Sequence, residues 1–171
     1  MISKEKMTPE QRERLQKFKA DIPQQLEKFF QLAKESEKYQ QIKPEYDYRT
    51  LQLVEDFYFD LMNRVESSEY SQAQLNELFG VYLGEAALFH RKGEWIIDPF
   101  EDSMHFDKPV IAFHKGDLLL FNPSSYLNNM IYHNKRNCIV KSINSIKYHE
   151  EIQRQRLEEM ENLGKRKKGR K

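Results

Sequence analysis

The sequence has almost no cysteine and no long apolar run, so it lacks the residues that form disulfides, cysteine-based metal sites or membrane anchors. Its 171 residues include one cysteine, Cys138, which excludes an internal disulfide and a cysteine-based zinc site. No apolar run approaches the roughly 20 residues that span a bilayer, and the first six residues lack the apolar core of a secretory signal. We therefore expect a cytoplasmic protein without a membrane segment.

Net charge is also nearly absent, at +1, but it is unevenly distributed. Residues 1–163 hold 22 basic against 27 acidic residues, a net charge of −5. The last eight residues carry no acidic residue and six basic ones: Lys165, Arg166, Lys167, Lys168, Arg170 and Lys171. The sequence predicts a mildly acidic body with a basic tail, which argues against a strongly basic nucleic-acid-binding domain.

Aromatic residues are plentiful, with 11 Phe and 9 Tyr, so the chain is expected to fold around a core. Apolar residues recur at helical spacing in three N-terminal stretches, residues 9–41, 49–66 and 71–89. Because Pro23 lacks an N–H, we expect the first helix to kink or restart there, with Asp21 as a second cap. One face of the third helix carries only small residues, Gly80, Gly84 and Ala87. We expect the backbone of another segment to approach the helix closely on this face.

The periodicity changes after residue 92. Apolar runs at 94–98, 109–114 and 117–121 predict strands, and residues 115–117 predict the tight turn of a hairpin. A further helix starts at Asn122, and a last, mostly charged helical stretch covers 138–163. The predicted fold class is α+β, with N-terminal helices packed on a small antiparallel sheet of about three strands, then a helix and a long charged C-terminal helix. We expect one domain at 1–148, a charged helical extension at 149–163 and a disordered basic tail at 164–171.

A short motif spans the third helix and the first strand: Gly80-x-Tyr82-x-Gly84-Glu85, then Gly93-Glu94-Trp95. It resembles a group of small bacterial cytosolic domains of unknown function that share Gly-x-Tyr-x-Gly-Glu, then Gly-x-Trp, then a short antiparallel sheet. Some relatives lie in polymorphic-toxin or secretion-system neighbourhoods. The resemblance therefore implies an immunity-like role, with a toxin or secretion-system component as partner.

The motif also has a physical basis. A glycine inside a helix costs about 1 kcal/mol relative to alanine. We expect close packing of this helix against the sheet to compensate for that cost, with Trp95 of the first strand lying against the same helix. Tyr82 and Glu85 share a helix face. Two interpretations of Glu85 stay open: it accepts a hydrogen bond from a strand or loop N–H, or it contacts a polar ligand.

The loop at 98–107 concentrates four carboxylates and one imidazole in ten residues. Its spacing does not fit a calcium loop, which needs acidic or amide residues at alternate positions and a central glycine. It is either a solvated loop with Phe100, Met104 and Phe106 as apolar anchors, or a partner-binding loop that acts with an exposed sheet face. The residues predicted to bind a protein partner are Tyr82, Glu85, Trp95, Asp98, Glu101, Asp102, His105 and Asp107.

No set of acid, base and nucleophile emerges, since the five histidines are scattered and Cys138 lies at a poor helical spacing from His133. We predict no catalytic residue, no metal and no cofactor. The leading hypothesis is a non-enzymatic protein-binding module whose acidic loop suits a basic partner. The alternative is a nucleic-acid-associated accessory protein that acts through the basic tail by counterion release.

Overall fold

The computed structural model describes residues 6–67, 69–113 and 119–144. The helices within them are α1 (Pro9–Lys34), α2 (Tyr48–Met62), a 3-10 turn (Val65–Ser67), α3 (Gln72–His90) and α4 (Pro123–Tyr132). The strands are β1 (Gly93–Ile97), β2 (Pro109–Phe113) and β3 (Leu119–Phe121). Residues 139–144 are also helical.

The predicted mixture of helices with a small antiparallel sheet is confirmed. Four of the sequence predictions fall outside the described residues: the turn at 115–117, most of the charged C-terminal helix, the extension at 149–163 and the basic tail at 164–171. The division of the chain into these segments stays a prediction.

Helix starts follow local sequence. Thr8 caps α1 through its hydroxyl, which accepts from the Gln11 backbone, while the Gln11 side chain accepts from the Thr8 backbone. The predicted restart at Pro23 is wrong, because α1 is one helix from residue 9 to residue 34. An internal proline costs about 3 kcal/mol locally. Burial of Leu15 on one side of it and Phe29 on the other outweighs that cost, since both ends of the helix are held by packing.

The three strands pair in the order β1-β2-β3, with both pairs antiparallel. Trp95 lies opposite Ile111, and Ile111 lies opposite Phe121. Consecutive residues in β1 (95–97) and in β2 (110–113) are buried, so these strands are covered on both faces. The exposed sheet face expected as a contact surface is therefore absent from β1 and β2.

Buried side chains form two clusters. The helical core joins α1, α2, α3, α4 and residues 139–144, and it includes Phe29, Phe79 and Tyr82. The sheet core joins β1 and β2 with the first turns of α1 and with Ala87 of α3. Because α1 and α3 contribute to both clusters, they connect the helices to the sheet.

A buried carboxylate fastens the C-terminal helical residues to α2. Glu55 is 0% exposed, and its side chain accepts hydrogen bonds from the backbone N–H groups of Asn137, Cys138 and Ile139. The bonds from Cys138 and Ile139 are both 2.8 Å. A helix start leaves such N–H groups without partners, so Glu55 acts as a cap supplied from a distant helix.

Candidate functional site

The two glycines of the α3 motif make room for side chains. A Cβ added at Gly84 would overlap the indole ring of Trp95, and one added at Gly80 would overlap the Ser124 hydroxyl of α4. The expected close approach of another backbone is found at Gly80, where the added Cβ would lie 3.4 Å from the Ser124 backbone nitrogen, whereas at Gly84 the neighbour is an indole ring. Trp95 projects from β1 onto α3, and α4 approaches α3 through the small Ser124, so side chains fill the space that the glycines leave.

Glu85 holds the indole of Trp95. The Trp95 Nε1–H donates to Glu85 Oε1 at 2.7 Å, and the indole packs edge-to-face on Phe18 with ring centroids 4.9 Å apart. This bond corresponds to the first interpretation of Glu85, except that the donor is a side-chain N–H. The second carboxylate oxygen of Glu85 has no hydrogen-bond partner among the described residues, so a ligand contact there stays open.

Tyr82 and Trp95 are buried and do not offer the surface expected of them toward a protein partner. Tyr82 is 0% exposed and stacks on Phe29 with ring centroids 4.4 Å apart. Its hydroxyl is buried and has no hydrogen-bond partner within the described residues. Burial raises the pKa of the Tyr82 hydroxyl well above its usual value, so this group is neutral at physiological pH.

The acidic loop is closed at its base by hydrogen bonds. The Asp98 N–H donates to the Lys108 carbonyl and the Asp107 N–H donates to the Asp98 carbonyl, both at 2.9 Å. The buried Asp98 side chain accepts from the Phe100 N–H at 3.0 Å through Oδ1, while Oδ2 is buried without a described partner. Asp98 is thus a structural residue of the loop, not the contact residue expected from the sequence.

Asp107 attaches the loop to α1. Its carboxylate accepts from both terminal nitrogens of Arg14, one at 2.8 Å, and from Gln11 Nε2 at 3.1 Å. The hydrogen bonds from Arg14 and Gln11 hold the pKa of the Asp107 carboxyl below its usual value. Because this carboxylate is already engaged, Asp107 positions the loop instead of presenting a free charge to a partner.

The tip of the loop presents apolar and acidic side chains together. Backbone bonds from Ser103 to Phe100 and from Phe106 to Ser103 fold it into successive turns. Met104 is 83% exposed and Phe106 is 42% exposed, so these two side chains are not the anchors that we expected. Their apolar character within an acidic segment was the one sequence signal that marked them.

The polar residues of the tip differ in exposure. Glu101 and Asp102 are exposed beside the two apolar side chains. His105 is half-buried, and its Nδ1 is buried without a described partner. Of the eight residues predicted to contact a partner, Glu101 and Asp102 are therefore the freely accessible ones.

A cleft of about 350 Å³ lies where the base of the loop meets α3, α4 and β1. Its lining includes Phe18, Glu77, Trp95, Lys108 and Ser124, but no histidine or cysteine. Among residues 6–67, 69–113 and 119–144, no three His, Cys, Asp or Glu side chains are grouped closely enough to hold a metal ion. None of the helices in the same ranges is long and apolar enough to cross a membrane.

The fold and the loop define a small domain of helices and a three-stranded sheet, with a closed, partly apolar acidic loop at one end. The family model described as "Uncharacterised protein YwmA" matches residues 18–147, and the chain belongs to this family. The match covers the helical core, the three strands and the loop, but not Met7 and Leu15 of the sheet core, and it confirms the prediction of a small bacterial domain of unknown function. No curated protein and no solved structure matches the chain.

Proposed function

We propose that this protein is a non-enzymatic protein-binding module whose contact surface is the tip of the loop at 98–108. One observation carries the proposal: a loop closed by hydrogen bonds and attached to α1 exposes Met104 and Phe106 next to Glu101 and Asp102. Exposed apolar side chains on a pre-organised loop are a feature of protein-binding surfaces.

The energetics support binding at this tip. Burial of a Met or Phe side chain stabilises a complex by about 1.5–3 kcal/mol, and the flexible thioether of Met104 fits pockets of different shape. The turns of the loop and its attachment at Asp107 lower the entropy lost on binding. The two carboxylates favour a partner whose apolar pocket is bordered by basic groups.

The identity of the partner is part of the proposal. Following the resemblance described above, the partner is a toxin or a secretion-system component, the role is immunity-like, and the location is cytoplasmic. The alternative function, nucleic-acid association through residues 164–171, concerns a segment outside the described residues. It stays a prediction that deletion of that segment tests: unchanged binding to RNA or heparin after the deletion would make it wrong.

Comparative capture with loop variants tests the main proposal. Wild-type protein, Met104→Ser/Phe106→Ser and Tyr132→Ser are used as baits in a lysate of the native host. Tyr132 is 83% exposed on α4, so its replacement is a matched control for the loss of an exposed large side chain. We expect a partner that binds wild type and Tyr132→Ser but binds the loop variant at least tenfold less. Equal recovery on all three baits would contradict the proposal.

A further inference from the structure

The cleft at the base of the acidic loop has the size of a small-molecule site. Its volume of about 350 Å³ falls within the roughly 300–1,000 Å³ that is usual for clefts that hold small ligands. Residues of α1, α3, β1, α4 and the start of β2 all contribute to its lining. Because these are packed helices and strands, the cleft is formed before any ligand arrives, which lowers the entropy lost on binding.

The apolar part of the lining is held in place by its own contacts. It consists of Phe18, Val81, Trp95, Pro109 and Pro123. The Trp95 indole packs edge-to-face on Phe18 with ring centroids 4.9 Å apart, and its N–H is bonded to Glu85. Aromatic rings interact favourably with other aromatic rings beyond the effect of buried area. This lining therefore favours a ligand with an aromatic ring.

Two opposite charges line the same cleft without neutralising each other. Glu77 of α3 and Lys108 at the end of the acidic loop are both lining residues, and both are exposed. Within the described residues, neither side chain takes part in an ion pair or a hydrogen bond, with the other or with a third group. Both charges thus remain available to a ligand, and a ligand that carries both signs would satisfy both.

Two amide groups of the lining supply further donors. Asn122 is only 7% exposed, and its Oδ1 accepts from the Ser125 N–H at 2.9 Å, which leaves its amide nitrogen without a hydrogen-bond partner within the described residues. Asn128 likewise uses its Oδ1 for the Asn76 side chain and leaves its own amide nitrogen unpartnered there. Together with the Lys108 ammonium, these amides give the cleft three donor groups, which suit a carboxylate.

We propose that this cleft binds a free α-amino acid with an aromatic side chain. Lys108 and the two amides bind the α-carboxylate, Glu77 binds the α-ammonium, and Phe18 and Trp95 contact the ring. The C-terminus of a polypeptide offers the same carboxylate and ring, but it has an amide where the free amino acid has an ammonium, so Glu77 favours the free amino acid. This site is separate from the loop tip and does not depend on the function proposed above.

Calorimetric titration of the full chain with L-phenylalanine tests the proposal. Three probes each lack one feature of this ligand: 3-phenylpropionate lacks the ammonium, phenethylamine lacks the carboxylate, and L-alanine lacks the ring. We expect saturable binding of L-phenylalanine and affinities about tenfold or more lower for each of the three. Trp95 is the only tryptophan, so the NMR signal of its indole N–H in the ¹⁵N-labelled chain gives a second readout, which should shift with the same saturation.

Variants then identify the charges responsible. Lys108→Met and Glu77→Gln each remove one charge and nearly retain the size of the side chain, so the affinity for L-phenylalanine is expected to fall about tenfold or more in each. Lys43→Met and Glu45→Gln are the matched controls, because these exposed residues lie between α1 and α2 and do not line the cleft. Both controls should bind L-phenylalanine as the wild type does.

Each of four results would overturn the proposal. The first is the absence of saturable binding of L-phenylalanine to the wild-type protein. The second is equal affinity for any probe that lacks the ammonium, the carboxylate or the ring. The third is unchanged affinity in Lys108→Met or in Glu77→Gln. The fourth is equal or tighter binding of the tripeptide glycyl-glycyl-phenylalanine, which would show that the cleft recognises a polypeptide C-terminus instead of a free amino acid.

Discussion

Replacement of Glu55 by glutamine is the most informative test of how this fold is held together. The carboxylate accepts three backbone N–H groups, those of Asn137, Cys138 and Ile139, from a position without solvent contact. Hydrogen bonds to a charged group contribute about 1.5–3 kcal/mol each, compared with 0.5–1.5 kcal/mol for neutral ones. A glutamine side chain has one acceptor oxygen and an NH₂ group, so at least one backbone N–H would face a donor.

From these values we expect Glu55→Gln to lose about 3–5 kcal/mol of unfolding free energy: roughly 1.5–3 kcal/mol for the lost bond, and the remainder for weakening of the other two. A typical domain has about 5–15 kcal/mol in total, so this would be a large part of the stability. Urea unfolding followed by circular dichroism measures the difference.

The matched control is Asp56→Asn, at the next position of α2. Asp56 forms an exposed ion pair with Arg136 at 3.8 Å, and such pairs contribute about 0–1 kcal/mol. A loss below about 1 kcal/mol for Glu55→Gln, or an equal loss for both variants, would refute the interpretation of Glu55 as a buried cap. Faster amide exchange at residues 138 and 139 in Glu55→Gln would locate the effect at the helix start.

Three further predictions follow from the packing and the charges. Gly84→Ala should lower the free energy of unfolding by about 1–3 kcal/mol, because the new methyl group overlaps a rigid indole ring. Gly80→Ala should lower the free energy of unfolding less, because the Ser124 hydroxyl can rotate away. Tyr82→Phe should leave the unfolding free energy unchanged or raise it by about 1 kcal/mol, as measured in urea, because it removes an unpartnered buried hydroxyl. Asp107 has a lowered pKa in the folded state, so its contribution is present above about pH 4 and is lost as the pH falls further. Unfolding curves from pH 7 to pH 2 should therefore show the wild type losing its advantage over Asp107→Asn in acid.

Contrary outcomes are equally specific. Equal losses for the two glycine variants would mean that the indole does not occupy the space above α3. A clear loss of stability in Tyr82→Phe would mean that the hydroxyl has a protein partner. A pH-independent difference between wild type and Asp107→Asn would mean that the carboxylate is not held ionised by its contacts with α1.

Local signals in the sequence were sufficient for most helix and strand positions. The caps at Thr8, Ser71 and Asn122 act on N–H groups three residues away, so their effect is visible in a short window of sequence. The alternation from helical spacing to short apolar runs likewise placed the three strands near their observed positions. These features depend on neighbours along the chain, and therefore a linear reading of residue types recovers them.

Features that depend on distant partners followed from the tertiary structure alone. The continuity of α1 through Pro23 results from packing at both ends of the helix, which outweighs a local propensity. Glu55 lies in an amphipathic helix like any surface glutamate, and its role arises from N–H groups more than 80 residues away. The sequence also did not predict that Met104 is exposed and Tyr82 is buried. The position of an apolar or aromatic side chain relative to the core depends on how whole helices and strands pack.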